Sequence, residues 1–183
     1  MSKRPRKSGT ALFLPDQSTL LSNSIRAEIE WAGDYAELKI GSTAAEKKNF
    51  AEALSRSLAQ RFADSLRSTF PTILPRPDGS GQESKARTGK GLKKLDVNYS
   101  TVELGLGLGV SIKTINFRDA RSNRYTKNFT RADNEFRAEA ADYHQRQPYS
   151  VLCAAFLLPL DACDDGGGKR SIELWPGRTN ISF

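Results

Sequence analysis

Cysteine and histidine are almost missing from these 183 residues: Cys153, Cys163 and His144 are the entire supply. Cys153 lies in an apolar run and Cys163 in an acidic turn, so neither a disulfide framework nor a zinc ligand set can be assembled, and a cytoplasmic location is expected. A single histidine builds no metal cluster, and with no nucleophile partner in view His144 of "DYHQRQPY" reads as structural. Long apolar runs are missing as well. The basic N-terminus leads into "TALFLP", too short for a signal-peptide core or a membrane span, so no membrane partner is expected. "GLGLG" at 105–109 fits neither G-x-G-x-x-G nor the Walker spacing, and no G-K-[ST] follows, which argues against a nucleotide loop. No repeat is visible at solenoid periods.

Positive charge is what the chain does have. Lysine and arginine number 28 against 21 acids, giving a net charge of +7 and a pI near 9.5. This balance fits a polyanion partner. Lys3, Arg4, Arg6 and Lys7 make residues 1–10 a disordered basic arm, and Lys85, Arg87, Lys90, Lys93 and Lys94 crowd the stretch before Asp96. A charged stretch of this kind is more often a solvated loop than a binding surface. With 38% hydrophobic and 27% charged residues, one domain over residues 20–183 with polar tails is expected.

"IRAEIEWAGDYAELKI" from Ile25 alternates and reads as two short strands around Ala32-Gly33-Asp34, with a helix as the competitor. Ser42 or Thr43 caps a long helix to about Ser68, its Phe50, Leu54, Leu58, Phe62 and Leu66 spaced by four. "FPTILPRPDGSGQESKARTGKG" reads as an extended, partly mobile loop. Strands follow near Leu95–Leu104 and Leu108–Phe117, an antiparallel pair joined at a kink over Gly105–Gly107. "RDARSNRYTKNFT" is a polar loop, and Thr130 with Asp133 opens a helix to about Gln147, before Pro148. "YSVLCAAFLLPL" is unbroken enough to be a strand buried on both faces, and "SIELW" starts another. "TNISF" is strand-like with no stop after it, which leaves open a continuation beyond residue 183. The order predicts an α/β (α+β) sheet covered by helices.

In the strand 104–113, Leu104, Leu106, Leu108, Val110 and Ile112 share one parity, while Gly105, Gly107, Gly109, Ser111 and Lys113 share the other. The second face is bare until Ser111 and Lys113, so a helix or a ligand backbone can approach closely. Asp96 and Lys113 can meet across an antiparallel pair, where strands lie about 4.8 Å apart. A carboxylate there is a hard ligand for Mg²⁺, and an ammonium can orient water or stabilise charge developing on a phosphate.

These residues and this element order resemble the PD-(D/E)xK nuclease superfamily, to which many restriction enzymes belong. Its core runs helix, three-stranded meander, helix, strand, and the likeness covers about residues 43–160. The resemblance implies a restriction-endonuclease-like mixed sheet flanked by helices, and a Mg²⁺-dependent endonuclease acting on double-stranded DNA. It implies Asp96, Lys113 and Glu135 as the catalytic set, and a homodimer as a further expectation. Two departures stand out: Leu95 occupies the usual proline position, and the tripeptide is Ser111-Ile112-Lys113, with serine in place of the second acid. Restriction enzymes of related type with S-x-K recover the acid from the following helix. Here that helix carries Glu135 and Glu139, which would join Asp96 and the Ile112 carbonyl around the metal, although glutamates there can equally pair with Arg131 or Arg146. Glu52 of the first helix is an additional metal candidate, more often plain surface charge. Glu103 ranks below Glu135, being about 33 Å from Lys113 along a straight strand. Gln145 and Tyr149 match a Q-x-x-x-Y pattern that some of these nucleases carry, interrupted here by Pro148. Lys85, Arg87, Lys90, Lys93, Lys94 and Ser111 would contact the nucleic acid. The alternatives are a non-catalytic nucleic-acid-binding module on a decayed nuclease fold, motivated by Ser111, and a basic assembly protein without nucleic acid.

Overall fold

The computed structural model describes residues 23–159 and Ala162. The basic arm and the "SIELW" and "TNISF" segments lie outside the described residues. The elements are α1 (Asn23–Tyr35), α2 (Ala44–Leu66), β1 (Ser84–Thr88), β2 (Gly91–Leu95), β3 (Val97–Thr101), β4 (Gly105–Thr114), α3 (Thr126–His144) and β5 (Val151–Leu157). Three helices pack against two small sheets, one of them mixed, in an α+β arrangement.

α2 forms where its pattern predicts. Thr43 accepts from the Glu46 amide at 3.2 Å while the Glu46 carboxylate accepts from the Thr43 amide at 2.6 Å, closing a capping box. Phe50, Ala53, Leu54 and Leu58 are buried on one side of it. The two strands expected from Ile25 are instead α1. Its alternating apolar residues also recur at helical spacing, and burial follows the helix: Ala32 and Ala36 join the α2 core with Ile29 packed against them, while Trp31 stays exposed.

β4 is the central strand of the sheet β3-β4-β5. β3 runs antiparallel to it from Val97 opposite Val110, and β5 runs parallel from Leu108 opposite Val151 to Thr114 opposite Leu157. A parallel pair needs a crossover, and α3 lies within it. α3 starts at Thr126, four positions ahead of the expected Thr130, and stops at His144. β5 carries apolar residues to both faces, Ala155 and Leu157 toward the α2 cluster, Leu152 and Phe156 toward α3. That explains the unbroken run. Among the described residues it is nonetheless an edge strand and only half-buried, rather than the buried centre expected. On the far side of β3, Leu74 makes an isolated antiparallel bridge to Asn98, with N···O distances of 2.8 and 3.0 Å.

Two further expectations fail for local reasons. The stretch expected as a partly mobile loop contains β1 and the turn of the hairpin β1-β2, with Lys85 opposite Lys94 and Arg87 opposite Leu92. Its inward residues, Ala86, Thr88 and Leu95, are small or few, so the period-two signal was faint. In β4 the register shifts between Tyr99 and Ser100: Tyr99 faces Leu108 and Ser100 faces Leu106, leaving Gly107 as the extra residue of a bulge. Leu106 therefore turns to the cluster with Ala86, Leu95 and Tyr143, while Val110 and Ile112, with Leu108 beside them, face α2. The single apolar face read over 104–112 is split between two cores, and Leu104 sits exposed in the turn.

Candidate functional site

Asp96 occupies the residue before β3, where that strand diverges from β4. Its amide donates to Val110 O at 3.1 Å, and its Oδ2 accepts from the Ile112 amide at 2.6 Å. The side chain thus takes the ladder bond that another strand residue would have supplied. One step beyond the Val97–Val110 pair, Ser111 is the residue opposite Asp96, and Lys113 follows on the same face of β4. Burial pushes the Asp96 carboxyl above the usual carboxylate range; the Ile112 amide and the Lys113 charge pull it back, and the Glu83 and Glu139 charges push it further up. Asp96, just ahead of β3, and Lys113, on β4, are thus near enough for the Lys113 charge to act on the Asp96 carboxyl.

The helix carboxylates divide. Glu139 is half-buried and close enough to act on both Asp96 and Tyr143, whose hydroxyl is pushed up to about 12 chiefly by burial and then by that charge. Glu135 is exposed and bonded to Arg131 at 2.7 Å, which lowers its carboxyl; Lys113 adds a smaller pull in the same direction. Glu135 thus feels the Lys113 charge but carries the Arg131 pair, as on an ordinary solvated helix. Glu52 lies on the solvated side of α2, paired with Lys48 at 3.5 Å. Glu103 is exposed in the β3–β4 turn, at the opposite end of β4 from Lys113. Ile112 buries its side chain against α2 and gives its amide to Asp96. Ser111 is buried.

The glycine face is occupied by the protein itself. A Cβ at Gly109 would meet Leu95 and Leu152 at 2.9 Å each, one at Gly107 would meet the Tyr99 ring at 3.1 Å, and one at Gly105 would run into the Gln147 amide. Gly105 also sits at φ +72°. Tyr149 Oη donates to Leu104 O at 2.5 Å, and Gln145 lies against Gly89. Gln145 therefore packs on the β1–β2 turn and Tyr149 bonds at the glycine end of β4. His144 Nε2 is 3.1 Å from Ser150 O, the structural role expected.

The hairpin cations are largely engaged. Lys90 and Lys93 clasp the buried Asp142 at 2.9 and 3.0 Å, and Lys94 pairs with Glu83 at 2.5 Å. Lys85 and Arg87 make no ion pair among the described residues and point outward from β1. The sequence reading passed over a second basic group, because its arginines are scattered through a polar loop: Arg121 and Arg124, followed by Lys127 and Arg131 of α3, line or flank an open groove of about 700 Å³ that reaches Glu135.

Among the described residues, no three His, Cys, Asp or Glu side chains come together as a metal ligand set. Mg²⁺ does not demand one, because it keeps waters and is held by one or two carboxylates together with substrate phosphate. Asp96 is desolvated and its Oδ1 makes no hydrogen bond among the described residues, so it is one carboxylate of the kind such a site uses, while the Glu139 charge is the weakest of the influences on it. No family model matches the chain, and no curated protein or solved structure matches it either.

Proposed function

We propose that the protein is a Mg²⁺-dependent DNA endonuclease, with Asp96 and Lys113 at its reaction centre and Glu139, ahead of Glu135, as the second acid. The observation that carries this reading is the Asp96 carboxylate, desolvated, clamped by the Ile112 amide, and coupled to Lys113 and Glu139. Burying a carboxylate beside a second acid is unfavourable for folding, and such groups concentrate where a cation or a reaction uses them. The restriction-endonuclease-like likeness is supported by three further features: a helix before the Leu74 bridge and β3-β4, a parallel crossover containing α3, and Asp96 and Lys113 on neighbouring strands.

In this reading Asp96 Oδ1, a Glu139 oxygen and the Ile112 carbonyl would hold the ion. Mg²⁺ when bound supplies Lewis acidity and charge neutralisation at the phosphate. Lys113 orients the attacking water and stabilises the charge that grows on the phosphoryl oxygens. The Ile112 amide fixes Asp96, so the carboxylate need not reorganise during reaction. Lys85 and Arg87 add phosphate contacts from β1. Incubation of the purified protein with supercoiled plasmid, with and without Mg²⁺, tests this: nicked or linear DNA only with metal is expected, and intact plasmid under both conditions overturns it. Ser111, buried where the resemblance would have an acid, favours the second reading, a non-catalytic DNA-binding module. Metal-independent binding without cleavage would select it.

A further inference from the structure

The polar loop after β4 is built more firmly than its exposure requires. Asp119 Oδ1 accepts from the Arg121 amide at 3.1 Å, the Ser122 amide at 2.9 Å and the Ser122 hydroxyl at 3.1 Å, while its Oδ2 accepts from Lys127 Nζ at 3.1 Å. The backbone closes the same loop through Asp119 N to Arg124 O at 2.9 Å and Asn123 N to Asp119 O at 2.8 Å. These bonds hold the Asp119 carboxyl far below the usual range, the Ser122 amide contributing most. Little apolar surface is covered by this organisation, since residues 121–124 are all exposed. What it does is hold the backbone from which Arg121 and Arg124 project, neither of which has a carboxylate partner among the described residues.

The groove beside the loop continues the same chemistry. Arg124, Lys127 and Arg131 line it together with the hydroxyls of Ser122 and Thr130, and its far end is Glu135, the residue coupled to Lys113. Lys127 and Arg131 are each matched by an acid, Asp119 and Glu135, so the unmatched charge belongs to the two loop arginines. Cations on a bonded loop and hydroxyl groups along an open groove are the kind of surface that a phosphodiester backbone binds, since most protein–DNA hydrogen bonds go to phosphate.

We propose that residues 119–124 and the first turns of α3 form a clamp for the backbone of duplex DNA, with Arg121 and Arg124 each taking one phosphate. This assignment rests on the nuclease reading for its orientation, because the groove leads to the Asp96–Lys113 centre. It stands apart from that reading in its test, which needs no cleavage. The loop is preorganised, so binding does not have to order it.

The experiment measures binding of the full chain to a fluorescein-labelled random-sequence 20-bp duplex in EDTA, from 50 to 200 mM salt. The Arg121→Ala/Arg124→Ala protein is expected to bind about tenfold more weakly at 100 mM salt, and its log–log salt slope to shrink by up to about 1.8, 0.9 for each lost contact. Arg121→Lys/Arg124→Lys keeps both charges and is expected to retain the slope, which a purely structural role for the arginines would not predict. An unchanged slope in the alanine protein overturns the clamp, and so does absence of metal-free binding by the parent. Tighter binding of the matching RNA duplex overturns the assignment to DNA. A reduced slope in a protein whose parent never cuts plasmid upholds the clamp and removes the nuclease reading; plasmid cutting with an unchanged slope does the reverse.

Discussion

The two ends of β4 start from the same sequence feature, small residues along one face, and the fold uses them in opposite ways. At Gly105–Gly109 the missing side chains let the protein close on itself: Tyr99, Leu95, Leu152 and Gln147 fill the space that Cβ atoms would take. At Ser111–Lys113 the strand leaves β3 behind, Asp96 turns its carboxylate onto the Ile112 amide, and charges of both signs gather instead of apolar side chains. Absence of bulk therefore does not identify a ligand site. The difference lies in what faces the gap: hydrophobic and amide groups from neighbouring elements at one end, a desolvated acid and a lysine at the other.

The sharpest way to break this contrast is Lys113→Ala. Lys113 makes no ion pair among the described residues, so its loss should cost stability only through the weaker support it gives the buried Asp96 carboxylate. Cleavage in Mg²⁺ should fall about 10²–10³-fold, the effect of removing one group that stabilises transition-state charge. Duplex binding in Ca²⁺, expected to support assembly without turnover, should change little, because a group acting mainly in the transition state adds little to ground-state affinity. Cleavage that survives the substitution would make the charged end of β4 no more of a site than the glycine end.

Much of this arrangement was legible in the sequence, and the exceptions have physical causes. α2 was legible because a capping box and four-residue spacing agree. The antiparallel pairing that brings the residue before β3 near Lys113 was legible because the two strands carry apolar residues at a two-residue period. The side of Leu106 was not, since one bulge at Gly107 inverts parity and no residue type announces it. α1 was misread because Ile25, Ala27, Ile29 and Trp31 satisfy a two-residue period by coincidence while Ile29, Ala32 and Ala36 satisfy the helical one that packing uses. The hairpin cations drew attention as a cluster, yet Lys90, Lys93 and Lys94 are matched by Asp142 and Glu83, an acid 49 and 52 positions away in one case and one adjacent to the hairpin in the other. Neutralisation of that kind depends on tertiary contacts. The same dependence hid the Arg121–Arg124 loop, whose order comes from Asp119 and not from any hydrophobic pattern.

Gly105→Ala tests the other end. At φ +72° an L-residue is strained by about 1–2 kcal/mol, and the new methyl group must also displace Gln147, which donates weakly to Leu104 O at 3.5 Å. Together these should destabilise the fold by about 2 kcal/mol, lowering Tm by about 4–8 °C for a chain of this size. The cleavage rate per folded molecule, measured well below the new Tm, should stay at the parental value. A change in rate with no change in Tm would mean that the glycine end takes part in the chemistry after all.

The smallest effect on stability, and the most specific to the contrast, is expected from Asp96→Asn. Asparagine keeps an oxygen to accept the Ile112 amide bond but carries no charge, so it removes the burial and the acidic neighbours as sources of instability. Because the Asp96 carboxyl is raised in the folded state, the native protein binds its proton more tightly than the unfolded chain does. The aspartate is then best tolerated at low pH, and stability is lost as pH rises from the unfolded value, about 3.9, through the higher folded one. The variant should therefore melt above the parent at neutral pH, with the gap closing as pH falls into and below the ordinary carboxylate range. Added Mg²⁺ should act oppositely on the two proteins' difference: a ligand that binds only the folded parent raises its Tm, and the variant, lacking the charge, should gain much less. A parent that is not stabilised by Mg²⁺ at neutral pH, together with a variant that melts below it, would show Asp96 to be a structural acid satisfied by the Ile112 amide and Lys113. The two ends of β4 would then differ in polarity alone.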